Sequence, residues 1–464
     1  MHLNALRISD KDVLPLIEGG KGISISNGQS AGAWAAAGGV GTFSAVNADS
    51  FDEAGRPVPQ TYRGKTRRER HEELIAYAVQ GGVEQAKIAH EIAGGKGRLH
   101  MNVLWEMGGV EPILDGVLSK VGHLVHGITC GAGMPYRLAQ IAASFKVYYH
   151  PIVSSARAFR ILWKRSYHKL SDWLGSVVYE DPWLAGGHNG LSNSEDPQKP
   201  ERPLERVIAL RAFMRSIGLD HVPIVMAGGV WWLSEWADWI DNPDLGPIAF
   251  QFGTRPLLTK ESPISDVWKQ KLLNLKKGDV FLNRFSPTGF YSSAVRNDFL
   301  DELAARSNRQ VAYTLEALGD HDTPFPVGVR KRLVYLTHHD KKAVDAWIKE
   351  GYSEPMRTPD STLVFVTPQK AQQIHQDQVD CMGCLSACKF SNWAQKEEGT
   401  TGRKADPRSY CIQKTLQSIS HDGSVAHNLM FAGHNAYRFG QDPFYDNGFI
   451  PTVQQLLERI QQGN

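Results

Sequence analysis

Two short segments that contain glycine have the composition of an anion-binding site. Ala227–Gly229 and Phe252–Arg255 each end an apolar run with the character of a β-strand. Glycine lets backbone N–H groups come close to an anion because no side chain stands in the way. The Thr254 hydroxyl adds a donor and Arg255 adds a positive charge. We therefore predict a phosphate site here; the competing interpretation is that these glycines only form tight turns.

A histidine lies between glycines further towards the N-terminus, in the sequence AGGHNG of Ala185–Gly190. The ring of His188 would have few neighbours to pack against between these glycines. A position on a loop is therefore favoured over a position in the core. An imidazole changes its charge near neutral pH, which suits it to move protons in catalysis. We predict that His188 is an acid–base group; a structural histidine is the alternative.

Four of the five cysteines lie in residues 381–411. Three thiols within one short loop and a fourth after 22 intervening residues resemble the ligands of an iron–sulfur cluster. Zinc sites more often use two separated Cys-x2-Cys pairs. We predict a [4Fe–4S] cluster, with zinc or free redox-active thiols as the alternatives. The predicted ligands are Cys381, Cys384, Cys388 and Cys411, whereas Cys130 is interpreted as a small buried residue.

Short apolar runs alternate with helical patterns from the N-terminus to about residue 258. The predicted strands are Leu14–Glu18, Val40–Ala45, Leu99–Leu104, His123–Thr129, Lys146–Val153, Ser176–Glu180, Pro223–Ala227 and Ile248–Gly253. The predicted helices are Ser30–Ala37, Arg67–Ile92, Pro112–Lys120, Tyr136–Ala143, Ala156–Leu170, Pro203–Ser216 and Trp231–Ile240. This alternation predicts an α/β fold, a (β/α)8 TIM barrel over residues 1–258, which needs ~250 residues. A doubly wound sheet is the competitor.

The remaining residues, 259–464, are predicted to form an α+β, cysteine-rich extension. Lys260–Leu318 is expected to be mainly helical, with its clearest helix at Asn297–Ala305. Val327–Tyr335 and Thr362–Val366 are predicted strands of a small unit. The helical spacing of apolar residues in Pro451–Gln461 predicts a last helix that packs back on the barrel.

The overall composition narrows the class of protein. The 464 residues carry 51 Lys+Arg against 49 Asp+Glu, a net charge of +2, which argues against a nucleic-acid-binding protein. The start of the chain has no export signal and no apolar run is long enough for a membrane span. Clustered thiols without a disulfide pattern favour the reducing cytoplasm.

Several strings occur together in an order that resembles the nitronate monooxygenase family, formerly called 2-nitropropane dioxygenase. They are LPLIEGG, AAAGGVGTFSA, MNVLWE, TCGAGMP, AGGHNG, VMAGGV, FQFGTRPL and TGFYSSAVRN. The resemblance implies a barrel that binds FMN, with its phosphate at the seventh and eighth strands. The matching cofactor positions are Gly19, Gly20, Asn102, Gly187, Gly228, Gly229, Gly253 and Thr254, and His188 matches the catalytic base. This chain departs from the family at Leu184 and Asp181, where a glutamate and a glutamine are usual.

These features together predict an FMN-dependent oxidoreductase that oxidises nitroalkane or nitronate substrates with O2. A cysteine cluster is not part of the ordinary pattern of this family. It favours one alternative, a reductase of an activated C=C bond such as an enoyl thioester or enoate. An NAD(P)H-dependent flavin oxidoreductase is another alternative. A non-catalytic flavin- or metal-binding regulator is a further alternative. The expected partners are a small-molecule substrate, a second copy of the chain, and an electron-donor protein if the cluster is redox-active.

Overall fold

The computed structural model describes residues 3–396, 399–421 and 423–464. Eight parallel strands close into a barrel in which each strand pairs with its neighbours in chain order, and the eighth pairs with the first. The barrel strands are β1 (Leu16–Glu18), β2 (Val40–Ser44), β3 (Arg98–Leu104), β4 (Gly127–Gly131), β5 (Tyr148–Val153), β6 (Val177–Glu180), β7 (Ile224–Ala227) and β8 (Ile248–Phe252). All eight predicted strands are present. Because the sheet is closed, the doubly wound alternative is excluded.

Helices surround the barrel and continue beyond it. They are α1 (Gly28–Ala36), α2 (Arg67–Ala93), α3 (Val110–Val121), α4 (Leu138–Ser144), α5 (Ala156–Arg165), α6 (Pro203–Ser216), α7 (Asp266–Leu273), α8 (Asp298–Asn308), α9 (His338–Lys349), α10 (Pro368–Val379), α11 (Ile412–His421) and α12 (Val453–Gln461). The helix predicted over Trp231–Ile240 is instead a short 3-10 helix at Leu233–Trp239. Among the described helices, none combines the length and apolar character needed to cross a bilayer.

Residues 260–318 are less helical than predicted. This stretch holds α7 and α8 but also β9 (Val280–Asn283) and β10 (Ser292–Val295), which pair antiparallel. β10 also pairs with Gly187–His188, so it extends over the rim of the barrel. The helical prediction fails here because these short strands are stabilised by pairing partners far away in sequence.

A small unit follows with a hydrophobic cluster separate from the main core. It contains β11 (Gln310–Ala312), the hairpin β12 (His321–Val327) and β13 (Arg332–Thr337), β14 (Glu354–Arg357) and β15 (Thr362–Val366). The single strand predicted over Val327–Tyr335 is wrong in its bounds, because this range spans the turn between the two strands of the hairpin. At the C-terminal end of the chain, α12 packs against α1. The boundary at residue 258 stays a prediction.

Two histidines fill the amino-terminal end of the barrel. The rings of His100 on β3 and His150 on β5 stack with their centroids 4.1 Å apart, and both are buried. The Ser9 hydroxyl lies 2.9 Å from Nε2 of His100 and 3.0 Å from Nε2 of His150. Burial lowers the pKa of His150 to about 3 and holds the pKa of His100 well below its usual value. Both rings are therefore neutral at pH 7.

This buried pair predicts that acid destabilises the fold. Below pH 6.5 the unfolded chain binds protons at these rings and the folded chain does not, so the free energy of unfolding falls as pH falls. His150 alone should contribute a loss of about 2 kcal/mol between pH 7 and pH 5. The measurement is the urea midpoint at both pH values for the wild type, His150→Gln and, as a control, the exposed His168→Gln. Equal losses in all three proteins would contradict the prediction.

Candidate functional site

The carboxyl ends of the barrel strands surround a cavity of about 1860 Å³, including its opening to solvent. The active sites of TIM barrels lie at this end. The structure brings all nine predicted cofactor and catalytic residues to the wall of this one cavity. They are Gly19, Gly20, Asn102, Gly187, His188, Gly228, Gly229, Gly253 and Thr254.

One end of the cavity has free backbone donors. In the described part of the chain, no hydrogen bond uses the N–H groups of Gly228, Gly229 or Gly253. A Cβ built on Gly253 would meet no atom within 4 Å, so this glycine borders open space. The Thr254 Oγ1 accepts from the Gly433 N–H at 2.9 Å, which leaves its own hydrogen free to donate. Free N–H groups and a hydroxyl around an open space are suited to a phosphate.

Arg255 does not contribute to this cradle. Its side chain is buried, and Nη1 donates to the carbonyl oxygens of Trp231 at 2.8 Å and Asn464 at 3.0 Å. Nη2 lies 3.7 Å from Oδ2 of Asp442, which balances its charge. The prediction that Arg255 supplies a positive charge at the phosphate site is therefore wrong, because its guanidinium points into the core beneath the loop.

Three polar side chains on barrel strands also line the cavity: Asn102 on β3, Glu180 on β6 and Gln251 on β8. A Cβ on Gly20 would lie 2.3 Å from Cγ of Asn102, so a glycine is needed for the asparagine to occupy its position. Sequence reasoning found Asn102 and Gly20 but missed Glu180 and Gln251. A polar residue at the end of an otherwise apolar strand is the signal that could have identified both.

His188 lies at the edge of the cavity, on the two-residue strand that pairs with β10. Its Nε2 is 2.6 Å from Oγ of Ser286, and its ring meets that of Phe431 edge to face at 5.3 Å. Burial lowers the pKa of His188 to about 4. The imidazole is therefore neutral at pH 7 and has a lone pair that can accept a proton.

The loop before His188 is anchored differently from the family pattern. Asp181 Oδ1 accepts the backbone N–H groups of Trp183 at 2.9 Å and Leu184 at 2.8 Å. The aspartate thus closes the turn at the end of β6. The loss of the family's glutamate at Leu184 therefore does not leave the loop without an anchor.

A segment far along the chain, Met430–Gly433 with Asn435, completes the wall of the cavity. Asn435 Nδ2 donates to the carbonyl oxygen of Gly229 at 2.6 Å, which ties the segment to the loop after β7. Sequence reasoning missed this segment. Its sequence AGHN resembles the AGGHN around His188, and that similarity is the signal that could have found it.

The cysteine loop forms part of the same wall. The Gly108 N–H, in the loop after β3, donates to the carbonyl oxygen of Cys384 at 2.9 Å. His71 Nδ1 on α2 lies 3.0 Å from the Gly383 carbonyl oxygen. Cys384 and the neighbouring Leu385 line the cavity.

The four predicted ligand thiols lie close enough to influence one another. Burial and the charges of the other three thiols raise the pKa of Cys384, and burial raises the pKa of Cys388 to about 11 and of Cys411 to about 12. Cys381 Sγ accepts from the Ser391 hydroxyl at 3.1 Å. Within residues 3–396, 399–421 and 423–464, no group of three or more His, Cys, Asp or Glu side chains is arranged to hold one metal ion. Cys130 is fully buried, as interpreted from the sequence.

The closed barrel, with a cavity at the carboxyl ends of its strands and a neutral histidine at the rim, places the chain among the TIM-barrel enzymes. Within this class the chain belongs to the nitronate monooxygenase family, because the family model described as Nitronate monooxygenase matches residues 75–359, more than half of the chain. The chain is thus a flavin-dependent oxidoreductase, and members of its family generally bind FMN.

Two of the matching solved structures share the fold, and a third match has a lower score. FabK from Thermotoga maritima superposes with a TM-score of 0.51 at 14% identity, covering 97% of this chain and 92% of that chain. The enoyl reductase domain of MlnA from Bacillus amyloliquefaciens gives a TM-score of 0.51 at 13% identity, covering 97% and 93%. Nitroalkane oxidase from Streptomyces ansochromogenes gives 0.46 at 17% identity, covering 62% and 78%. Comparison with curated proteins finds no match.

Proposed function

We propose that the chain is an FMN-dependent enzyme that oxidises nitroalkane or nitronate substrates with O2, with His188 as the base. The observation that carries this proposal is the neutral imidazole of His188 on the wall of a cavity that also holds the free N–H groups of the phosphate cradle. FMN, when bound, supplies the redox chemistry by taking electrons from the substrate and passing them to oxygen.

The residues present fit FMN. Gly228, Gly229, Gly253 and Thr254 would hold the phosphate through their N–H groups and the threonine hydroxyl. Gly19, Gly20, Asn102 and Gly187 would border the ring system, where the absence of glycine side chains leaves room for it. The cavity wall continues beyond these residues to side chains of α2 and α11, where a substrate could bind.

His188 would take the proton from the carbon next to the nitro group. The C–H bond breaks, its electron pair stays on the substrate to form the nitronate, and the proton goes to the imidazole. Since the pKa of His188 is lowered to about 4, the ring is in its accepting form at neutral pH. The contact with Ser286 would keep the ring oriented towards the cavity.

A second candidate function is reduction of an activated C=C bond, for which His188 would donate the proton. Two observations favour it. Apolar side chains extend the cavity wall onto α2 and α11, through Leu74, Ala78, Leu416 and Ile419, and would suit a substrate with an apolar chain. The thiol cluster next to the cavity would offer a route for electrons from a donor protein.

For the thiols we retain a [4Fe–4S] cluster as the proposal, with zinc as the alternative. One zinc ion would hold four Sγ atoms within about 4 Å of one another, as Zn–S bonds of ~2.3 Å in a tetrahedron require. No group of three or more His, Cys, Asp or Glu side chains in the described residues is arranged to hold a metal ion, so the proposal rests on the spacing of the four cysteines. A cubane binds each thiolate to a different iron and spaces the thiolates more widely.

The test of the function compares two reactions of the purified protein with its FMN bound. The first is O2 consumption with a nitronate, and the second is anaerobic reduction of an enoyl thioester by a chemical electron donor. Turnover of the nitronate alone supports the proposal, and turnover of the thioester alone supports the second candidate. Protein that binds no flavin would overturn both.

The cysteine assignment predicts the effect of Cys384→Ser. Serine is a poor ligand for iron, so the variant should lose most of the bound iron and sulfide found in anaerobically purified wild type. The measurement is iron, sulfide and zinc content, with Cys130→Ser as the control that should keep its metal. Zinc in place of iron, or equal iron in wild type and Cys384→Ser, would contradict the cluster.

A further inference from the structure

Glu180 directs a carboxyl into the cavity from the end of β6. It pairs in register with Ala227 of β7 and lines the cavity, which accounts for its partial exposure. Side chains alternate along a strand, and the next residue, Asp181, instead holds the turn that follows. Glu180 is thus the member of this acidic pair that a bound molecule would meet.

Within the described residues, the Glu180 carboxyl makes no hydrogen bond and no ion pair. Burial, and to a smaller extent the charge of Asp181, raises the pKa of Glu180 to about 8. At neutral pH the group is an uncharged acid with one donor and free acceptors. A ligand in the cavity could therefore supply the hydrogen-bond partner that this carboxyl lacks.

The cavity that Glu180 lines carries other polar groups that suit one part of a flavin. Asn102 and Gln251 line the same cavity and offer amide donors and acceptors. The pyrimidine edge of an isoalloxazine carries carbonyl oxygens and ring nitrogens, and hydrogen bonds there tune its electronics. Reduction makes this edge richer in electrons, so a donor stabilises the reduced form more than the oxidised form.

We infer that the carboxyl of Glu180 hydrogen-bonds the bound flavin ring and raises its reduction potential. This inference rests on the proposed FMN site. Glu180 then acts on the electron transfer itself, whereas His188 handles the substrate proton.

The test is an anaerobic redox titration of the FMN-bound enzyme. Glu180→Leu should shift the equilibrium between oxidised and reduced flavin about tenfold towards the oxidised form, which is about 30 mV for two electrons. Glu180→Gln keeps a donor and should shift the equilibrium less than threefold. Glu111→Gln, whose carboxylate pairs with Arg137 on the surface, is the matched control and should not shift it.

The outcomes separate this inference from the proposed function. Wild type that binds no FMN overturns the proposed function. FMN-bound Glu180→Leu with an unchanged potential, or equal shifts in the Leu and Gln variants, overturns the role of Glu180 alone. Folded Glu180→Leu that loses FMN while Glu180→Gln retains it supports the contact. Glu180→Met replaces the Leu variant if that variant does not fold.

Discussion

His188→Ala should lose about a thousandfold in kcat/KM for a neutral nitroalkane while it still binds FMN. A positioned general base contributes 10²–10⁴-fold to proton abstraction, and the alanine variant lacks the base for this step. A nitronate prepared beforehand has already lost this proton, so its oxidation should fall by less than about tenfold. The measurement is steady-state O2 consumption with both forms of one substrate.

His168→Ala is the control for this experiment. This histidine is exposed, and Nδ1 of its ring lies 2.9 Å from the Trp163 carbonyl oxygen, away from the cavity. It should leave both rates unchanged. Equal losses for the nitroalkane and the nitronate in His188→Ala would remove the assignment of His188 as the base.

Gly253→Ala should weaken FMN binding about a hundredfold without destabilising the protein. The new methyl group would meet no protein atom within 4 Å, so the apoprotein accommodates it, and the backbone there is not left-handed. In the holoenzyme the methyl group would lie in the phosphate cradle and lengthen its hydrogen bonds, each worth about 1.5–3 kcal/mol when made to a charged group. Titration of the apoprotein with FMN gives the dissociation constant.

Gly122→Ala is the matched control. Its added Cβ would meet only Cβ of Leu118, at 3.8 Å, on the outer end of α3. Both variants should keep the unfolding temperature of the wild-type apoprotein. An unchanged FMN affinity in Gly253→Ala would show that the cofactor phosphate lies elsewhere.

The barrel and its glycine-containing loops could be predicted because their signals are local. Short apolar runs form strands, and the residues that follow parallel strands of a closed sheet meet at one rim. This is why Gly19, Gly228 and Gly253, which are far apart in sequence, could be assigned to one rim, whereas Asn102 was assigned only through the resemblance to the family. The same local reasoning failed for residues 260–318, where β9 and β10 depend on pairing with distant partners.

Side-chain direction could not be predicted in the same way. Arg255 follows Thr254 directly and seemed suited to an anion, but three distant groups draw its guanidinium into the core. Glu180 and Asp181 are adjacent and chemically similar, yet only Glu180 faces the cavity. Which of two neighbouring residues enters a site is set by strand register and packing, and these depend on the whole fold.

By itself the sequence determined four features: the closed barrel, the glycines at its rim, the rim histidine His188, and the group of four thiols. These follow from backbone preferences and from spacing within short segments. Only the tertiary structure decided that Ser286 holds His188, that the segment after residue 429 and the cysteine loop form walls of the cavity, and that Glu180 lies unpaired inside it. The physical reason is that a contact between residues far apart in the chain leaves no periodic trace in the sequence and exists only once the core has packed.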